Sequence, residues 1–188
     1  QRQMCIRDRD YGITRIYSPD DGRAMGLQGM INDLVSSADF PTGEHIADEM
    51  WSVSKNEPSS LAHVLSAVEN FNDKYAAQIE SLEHKAAKLD TPVLGITGTG
   101  GAGKSSLVDE FVRRFILDQE DQHIAIVSVD PSKRKTGGAL LGDRIRMNAI
   151  NHPRVFMRSL ATRQANLALS KHINQIVQVL KVAGYDLI

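Results

Sequence analysis

The sequence predicts an α/β fold built on a parallel sheet, and three observations carry that prediction. From Val93 onward, short apolar runs of strand length alternate with segments of helical period. A glycine-rich stretch, Gly98-Thr99-Gly100-Gly101-Ala102-Gly103, joins the first of those runs to the first helical segment. The second run, His123 to Asp130, ends in an acid, at the strand tip where open α/β sheets place ligands.

In chain order, Gln1 to Arg9 is charged and lacks any apolar period, and residues 1–10 are read as a non-native tail. Tyr11 to Tyr17 reads as a strand. Ser18 then fits an N-cap, with Pro19 at the first helical position and Asp20 and Asp21 in the first turn. Leu27, Met30, Ile31, Leu34, Val35 and Ala38 follow at i, i+3, i+4 spacing. This strand and helix form one segment, 11–39. One strand and one helix cannot bury both faces of a parallel strand, so they either pack on the following domain or end a domain whose front is missing.

Residues 40–90 read as a linker. Pro41, Gly43, Pro58 and Ser59-Ser60 punctuate its first part. Trp51 is either an anchor holding the linker to a surface or a platform for ligand stacking, with the anchor favoured. From Ser60 to Asp90 the pattern predicts one long helix. Leu61, Val64, Val68, Phe71, Tyr75, Ile79, Leu82, Ala86 and Leu89 repeat by threes and fours, over about 40 Å at the α-helical rise. Such a helix is either packed on one side with a solvated opposite face, or a spacer or docking helix between domains. Thr91-Pro92 ends it.

Residues 91–188 carry the chemistry. Val93 to Thr97 is a short buried strand, and Leu107, Val108, Phe111, Val112 and Phe115 mark the helix after the loop. Between them Gly98 to Ser105 spells G-x-x-x-x-G-K-S, the phosphate-binding P-loop, in its strand–loop–helix context. Glycines let the loop turn its N–H groups inward, where a following helix N-terminus completes a positive cradle. The nucleotide-binding set is Gly98, Thr99, Gly100, Gly101, Ala102, Gly103, Lys104, Ser105 and Ser106. Lys104 supplies the catalytic charge at the β- and γ-phosphates, and Ser105 a ligand of the bridging Mg²⁺. The same glycines satisfy G-x-G-x-x-G, the dinucleotide fingerprint. That pattern has no use for Lys104-Ser105 and wants an acid about 20 residues on; Asp130 comes somewhat late.

Asp130 and Asp143 are the remaining metal candidates, because a phosphate-bound Mg²⁺ takes hard oxygen ligands. Against this, Asp130-Pro131 is also a turn pattern, and Asp143 is also placed to pair with Arg144 or Arg146. Lys133 to Gly138 is polar and glycine-rich, a loop suited to ordering around a γ-phosphate. A helix is predicted over 139–150, a strand over 154–160, a helix over 164–183, and a last strand from Tyr185. Met147 and Met157 read as core.

The balance of 22 basic and 23 acidic residues gives no electrostatic case for nucleic acid or an anionic membrane. No apolar run reaches membrane-spanning length. The single cysteine, Cys5, excludes an internal disulfide framework and fits a reducing, cytoplasmic compartment.

The run Asp130 to Met147 after this P-loop resembles the G-protein chaperone family of cobalamin-dependent acyl-CoA mutases. Its Lys133-Arg134-Lys135 insert is similar to the version in which a cobalamin-binding domain, a linker and the GTPase precede a mutase barrel on one polypeptide. Gly12 to Arg23 resembles the last strand and helix of the flavodoxin-like cobalamin-binding domain. The resemblance implies GTP hydrolysis coupled to adenosylcobalamin loading, with the P-loop roles at Gly98, Lys104 and Ser105 and the magnesium and switch acids at Asp130 and Asp143. It implies mutase and cobalamin-binding domains as partners, a homodimer of the full-length enzyme, and interconversion of isobutyryl-CoA and butyryl-CoA there. The D-x-H-x-x-G cobalamin motif, the N-K-x-D base-specificity loop and the mutase barrel are not in these residues. The chain therefore reads as a fragment with an incomplete P-loop NTPase domain, expected not to catalyse the isomerisation and to hydrolyse GTP poorly or not at all. An ATP-dependent kinase or ATPase, and a non-catalytic docking scaffold, are the competing readings.

Overall fold

The computed structural model describes residues 12–131, 144, 146–162 and 172–188. They fall into two compact units, divided between Pro41 and Thr42.

In the first unit, α1 (Pro19–Ala38) starts as its sequence dictates. Ser18 Oγ accepts from the Asp21 N–H while the Asp21 carboxylate takes the Ser18 N–H, a reciprocal capping box, with Pro19 in the first turn. The helix is interrupted at Gly26, whose φ of 66° is non-helical. Residues 12–17 form no strand, in contrast to the sequence expectation, because no neighbouring strand among the described residues takes their backbone groups. The predicted apolar face of α1 is present but uncovered: Leu27, Ile31, Leu34 and Val35 are all exposed.

The second unit begins with the supposed linker, and here the expectation of one long helix fails. The segment forms two helices, α2 (Pro58–Asn70) and α3 (Ala76–Ala86). The break has a local cause. Asn72 Nδ2 donates to the Val68 carbonyl at 3.3 Å and to Gln175 Oε1 at 2.7 Å, so a side chain serves the end of α2. Tyr75 turns to stack beside Trp51, ring centroids 5.1 Å apart, and its hydroxyl donates to the Glu44 carbonyl at 2.6 Å. Trp51 itself is buried at the end of a short 3-10 helix (Asp48–Trp51), as the anchor reading expects.

Apart from the break, the hairpin follows the one-sided packing reading and is no spacer: one face is core and the opposite face is solvated. Leu61, Val64, Leu65 and Val68 of α2 are fully buried in one cluster with Ile79, Leu82, Ala125, Leu160, Ile176, Val179 and Leu180. The preceding connector lies hard against it. Gly43 has φ +90°, and a Cβ there would sit 2.5 Å from the Ala67 nitrogen, so only glycine fits this approach.

The sheet's assigned strands are β1 (Ile124–Pro131) and β2 (Val155–Thr162), parallel, with Ile124 opposite Val155 and Asp130 opposite Ala161. The two other predicted strands contribute single rungs, and Val93, Leu94 and Ile96 of the first are exposed, contrary to the buried-strand expectation. Leu187 bridges Ile124 in parallel. Ile188 donates to the Pro92 carbonyl at 3.1 Å and accepts from the Leu94 N–H at 2.8 Å, the slanted pattern of a parallel pair. The lateral order is thus residues 92–94, residues 187–188, β1, β2. Besides the hairpin, α4 (Lys104–Asp118) and α5 (Ile173–Val182) complete the described elements. Met147 and Met157 are buried, as read from the sequence. Of the predicted 139–150 helix, residues 139–143 and 145 lie outside the described residues and 147–150 are not helical, so that helix ends earlier than expected; the front of the 164–183 helix, 164–171, also lies outside the described residues.

Candidate nucleotide site

The loop from Gly98 to Gly103 runs directly into α4, whose first backbone bond is Leu107 N–H to the Gly103 carbonyl at 2.9 Å. Gly103 is the N-cap residue in the left-handed region, φ 83° and ψ 12°, and offers no side-chain cap. An uncapped helix start leaves its first-turn N–H groups to an external acceptor, and the aligned peptide dipoles favour an anion there. Gly101 is left-handed too, at φ 79°. A Cβ at either Gly101 or Gly103 would meet nothing within 4 Å, so their requirement is conformational, not steric.

Lys104 folds back across the loop. Its Nζ donates to the Gly98 carbonyl at 2.9 Å and the Thr99 carbonyl at 2.8 Å. An ammonium has three donors. Two are fixed by the loop, so the third is left for a phosphate oxygen with the side chain already oriented. Thr99 also accepts from the Ala102 N–H at 3.3 Å, which closes the turn. Gly98 to Gly103 are exposed, while Lys104 and Ser105 are half-buried at the base. Ser106 lies in the first turn of α4.

The parallel ladder places Asp130 relative to this cradle. Val93 is level with Ile188, and Leu187 with Ile124. Residues 92–94 and β1 therefore run in the same direction, with Gly98 and Asp130 both lying C-terminal to those rungs. Asp130 is the penultimate residue of β1. Asp143 lies outside the described residues, as does the 133–138 loop.

Two arginines that the sequence pattern did not single out hold this arrangement. Arg154 caps the far end of α4. Its Nη2 donates to the Ile116 carbonyl at 2.8 Å, and its Nη1 to the carbonyls of Gln122 at 3.0 Å and Gln119. A cation at a helix C-terminus satisfies terminal carbonyls and complements the dipole, so the helix that presents the loop is pinned to the start of β2. At the near end, the Asp109 carboxylate accepts from the Ala149 N–H at 2.8 Å. The second arginine, Arg158, reaches from β2 to α2, donating to Ser66 Oγ at 3.1 Å and Glu69 Oε2 at 2.5 Å. Both look in sequence like polar residues alternating along a strand. On α4, Glu110 receives both Arg113 and Arg114, whose hydrogen bonds hold its carboxyl down at about 2.

The family model of the methylmalonyl-CoA mutase-associated GTPase MeaB matches residues 61–188. The chain is 52% identical over 185 residues to a fused isobutyryl-CoA mutase of Geobacillus kaustophilus, covering 95% of this chain and 17% of that protein. It is 51% identical over 180 residues to the fused isobutyryl-CoA mutase of Cupriavidus metallidurans, covering 95% of this chain and 16% of that protein. The GTPase ArgK of Escherichia coli is 30% identical over 146 residues, 76% of this chain and 44% of that protein. The chain therefore spans about a sixth of the length of the fused mutases it matches. A glycine cradle with an oriented lysine on a parallel sheet, in a chain matched from residue 61 to residue 188 by that model, places this protein in the MeaB family of mutase-associated GTPases.

Proposed function

We propose that this chain is the GTP-binding and GTP-hydrolysing module of a cobalamin-dependent acyl-CoA mutase. In the full-length enzyme it couples GTP hydrolysis to the loading of adenosylcobalamin, and the substrates there are isobutyryl-CoA and butyryl-CoA. The observation that carries the reading is Lys104, held on the Gly98 and Thr99 carbonyls at the head of an uncapped helix, in a chain half-identical to fused isobutyryl-CoA mutases.

The residues divide the work. Backbone N–H groups from Gly98 to Ser106 receive the β- and γ-phosphate oxygens. The free Lys104 donor meets the charge that builds on those oxygens during phosphoryl transfer, which is where a positioned cation lowers a barrier. Ser105, Asp130 and Asp143 carry the hard oxygens that would hold Mg²⁺, which would supply neutralisation of developing phosphate charge. The cobalamin-binding and mutase domains are the partners, in a homodimer.

The test is binding of a fluorescent GTP analogue with and without Mg²⁺, competed by GTP and by ATP, in the wild-type chain and in Lys104→Ala. Displacement by GTP at concentrations where ATP is inert supports the reading. Loss of a charge-assisted hydrogen bond predicts weaker binding in Lys104→Ala by about 10- to 100-fold. Equal displacement by ATP, or binding indifferent to Lys104→Ala, would refute it.

A further inference from the structure

Arg158 and Glu69 are joined incompletely. The Arg158 Nη2 group donates both to Ser66 Oγ and to Glu69 Oε2. Ser66 Oγ is committed in turn to the Ala62 carbonyl at 2.9 Å. Yet Arg158 Nε, on the same edge of the guanidinium, is buried with no hydrogen-bond partner. The pair sits between β2 and α2, its side chains only 25% and 17% exposed, so water does not readily replace the missing acceptor. A guanidinium edge matches a carboxylate with two parallel bonds. Here one is made and the neighbouring donor is orphaned.

A slide of β2 against α2 would bring both Glu69 oxygens onto this edge of the guanidinium. Packed elements do this in discrete steps of about 1–2 Å. The structure supplies a reason for such a step. Arg158 is opposite Val127 in the ladder, three residues before the Asp130–Ala161 rung. That rung is at the strand end which carries Asp130. A second polar tie, Asn72 and Glu83 to Gln175 at 2.7 and 3.3 Å, joins the same hairpin to α5. The helices preceding the P-loop thus grip two successive elements of the nucleotide domain, and one grip is half-closed.

We propose that Arg158–Glu69 is a two-position latch, single-bonded as seen here and forked when nucleotide and Mg²⁺ are bound, which passes occupancy of the P-loop to α2. The proposal rests on the nucleotide reading above. Arg158 is a positioning residue in it and touches neither nucleotide nor metal.

Amide hydrogen exchange across Ala62–Asn70 of the full chain tests it, with and without a non-hydrolysable GTP analogue and Mg²⁺. Analogue binding is measured in the same samples by fluorescence. In the wild type, exchange of this segment slows about 5-fold or more on binding, the lower range of ordinary coupling between sites. In Arg158→Lys, which keeps the charge and one bond but has no fork, the analogue still binds and the slowing disappears. Glu69→Gln, which keeps an acceptor but loses the carboxylate, gives the same result and serves if Arg158→Lys does not fold. An unchanged α2 in the wild type with analogue bound overturns the latch, as does equal slowing in wild type and variants. Failure of the wild type to bind analogue overturns the nucleotide reading first, and the latch with it.

Discussion

Leu65→Ala tests whether the helical hairpin is an integral layer of the nucleotide domain. Leu65 is 0% exposed, in a cluster that joins α2 to Leu160 of β2 and to Ile176, Val179 and Leu180 of α5. Removing three buried carbons from a leucine costs about 2–5 kcal/mol, and the value depends on how far the site collapses. Collapse is restricted here, because the connector backbone at Gly43 is wedged against Ser66 and Ala67 in the adjoining turn. The expected loss is therefore about 3.5 kcal/mol. For a unit of this size that lowers the melting temperature by about 7–14 °C. Circular dichroism at 222 nm without nucleotide measures it. Leu27→Ala on α1 is the control: Leu27 is 72% exposed, so its truncation shifts stability by less than about 0.5 kcal/mol. A loss below about 1 kcal/mol for Leu65→Ala, or equal losses for the two variants, would refute the argument that α2 is core.

Three further outcomes are expected. Gly103→Ala places a Cβ in open space but at φ +83°; it costs about 1–2 kcal/mol in backbone strain, seen as weaker binding of a GTP analogue with little change in helix content. Arg154→Met removes the cation from the α4 carbonyls and destabilises by about 0.5–1.5 kcal/mol, because exposed and half-buried helix-end carbonyls lose a charged donor that water replaces in part; denaturant titration checks it, and a loss under about 0.3 kcal/mol would sink the capping role. His123 is held below its usual value by burial, then by Lys55, with Asp186 and Arg154 also facing it. The unfolded chain therefore binds its proton first as pH falls, so stability drops from about pH 7 downward through the unfolded value near 6.5. His123→Gln should flatten that slope, and an unchanged slope would remove His123 as its source.

The P-loop was legible because its chemistry is local. Gly98, Gly103, Lys104 and Ser105 are close in sequence, and the turn that suits phosphate needs glycine wherever φ is positive. Capping at Ser18, the parallel run of β1 and β2 and the burial of Trp51 were legible for the same reason. Arg154 and Arg158 were not. Their partners lie between 32 and 92 residues away, and nothing in an alternating strand pattern says that a polar side chain will meet a helix end or a buried serine. The missing strand at residues 12–17 is a related failure. A strand pattern states what a segment can pair with, and the partner must be present for the ladder to form.

The misread helix is the more instructive case, because its pattern was real. The stripe from Leu61 to Ala86 keeps one apolar face through alternating threes and fours, and that periodicity is equally satisfied by one straight helix and by two that fold on each other. What decides is Asn70-Phe71-Asn72-Asp73. Two asparagines and an aspartate are weak helix formers whose side chains compete for backbone groups, and Asn72 does so with the Val68 carbonyl. A straight helix would project half its stripe beyond the sheet and leave it wet. Folding at Phe71–Tyr75 instead brings Leu61 to Val68 and Ile79 to Leu82 onto the same core, beside Leu160 and Leu180. The hydrophobic gain from burying both halves outweighs the few backbone bonds lost at the break, each worth about 1 kcal/mol net. The consequence is functional. A rigid spacer would insulate the P-loop from whatever precedes it. A hairpin seated on β2 and α5 cannot be insulated, since any shift of β2 at its Asp130–Ala161 end meets α2 through Arg158.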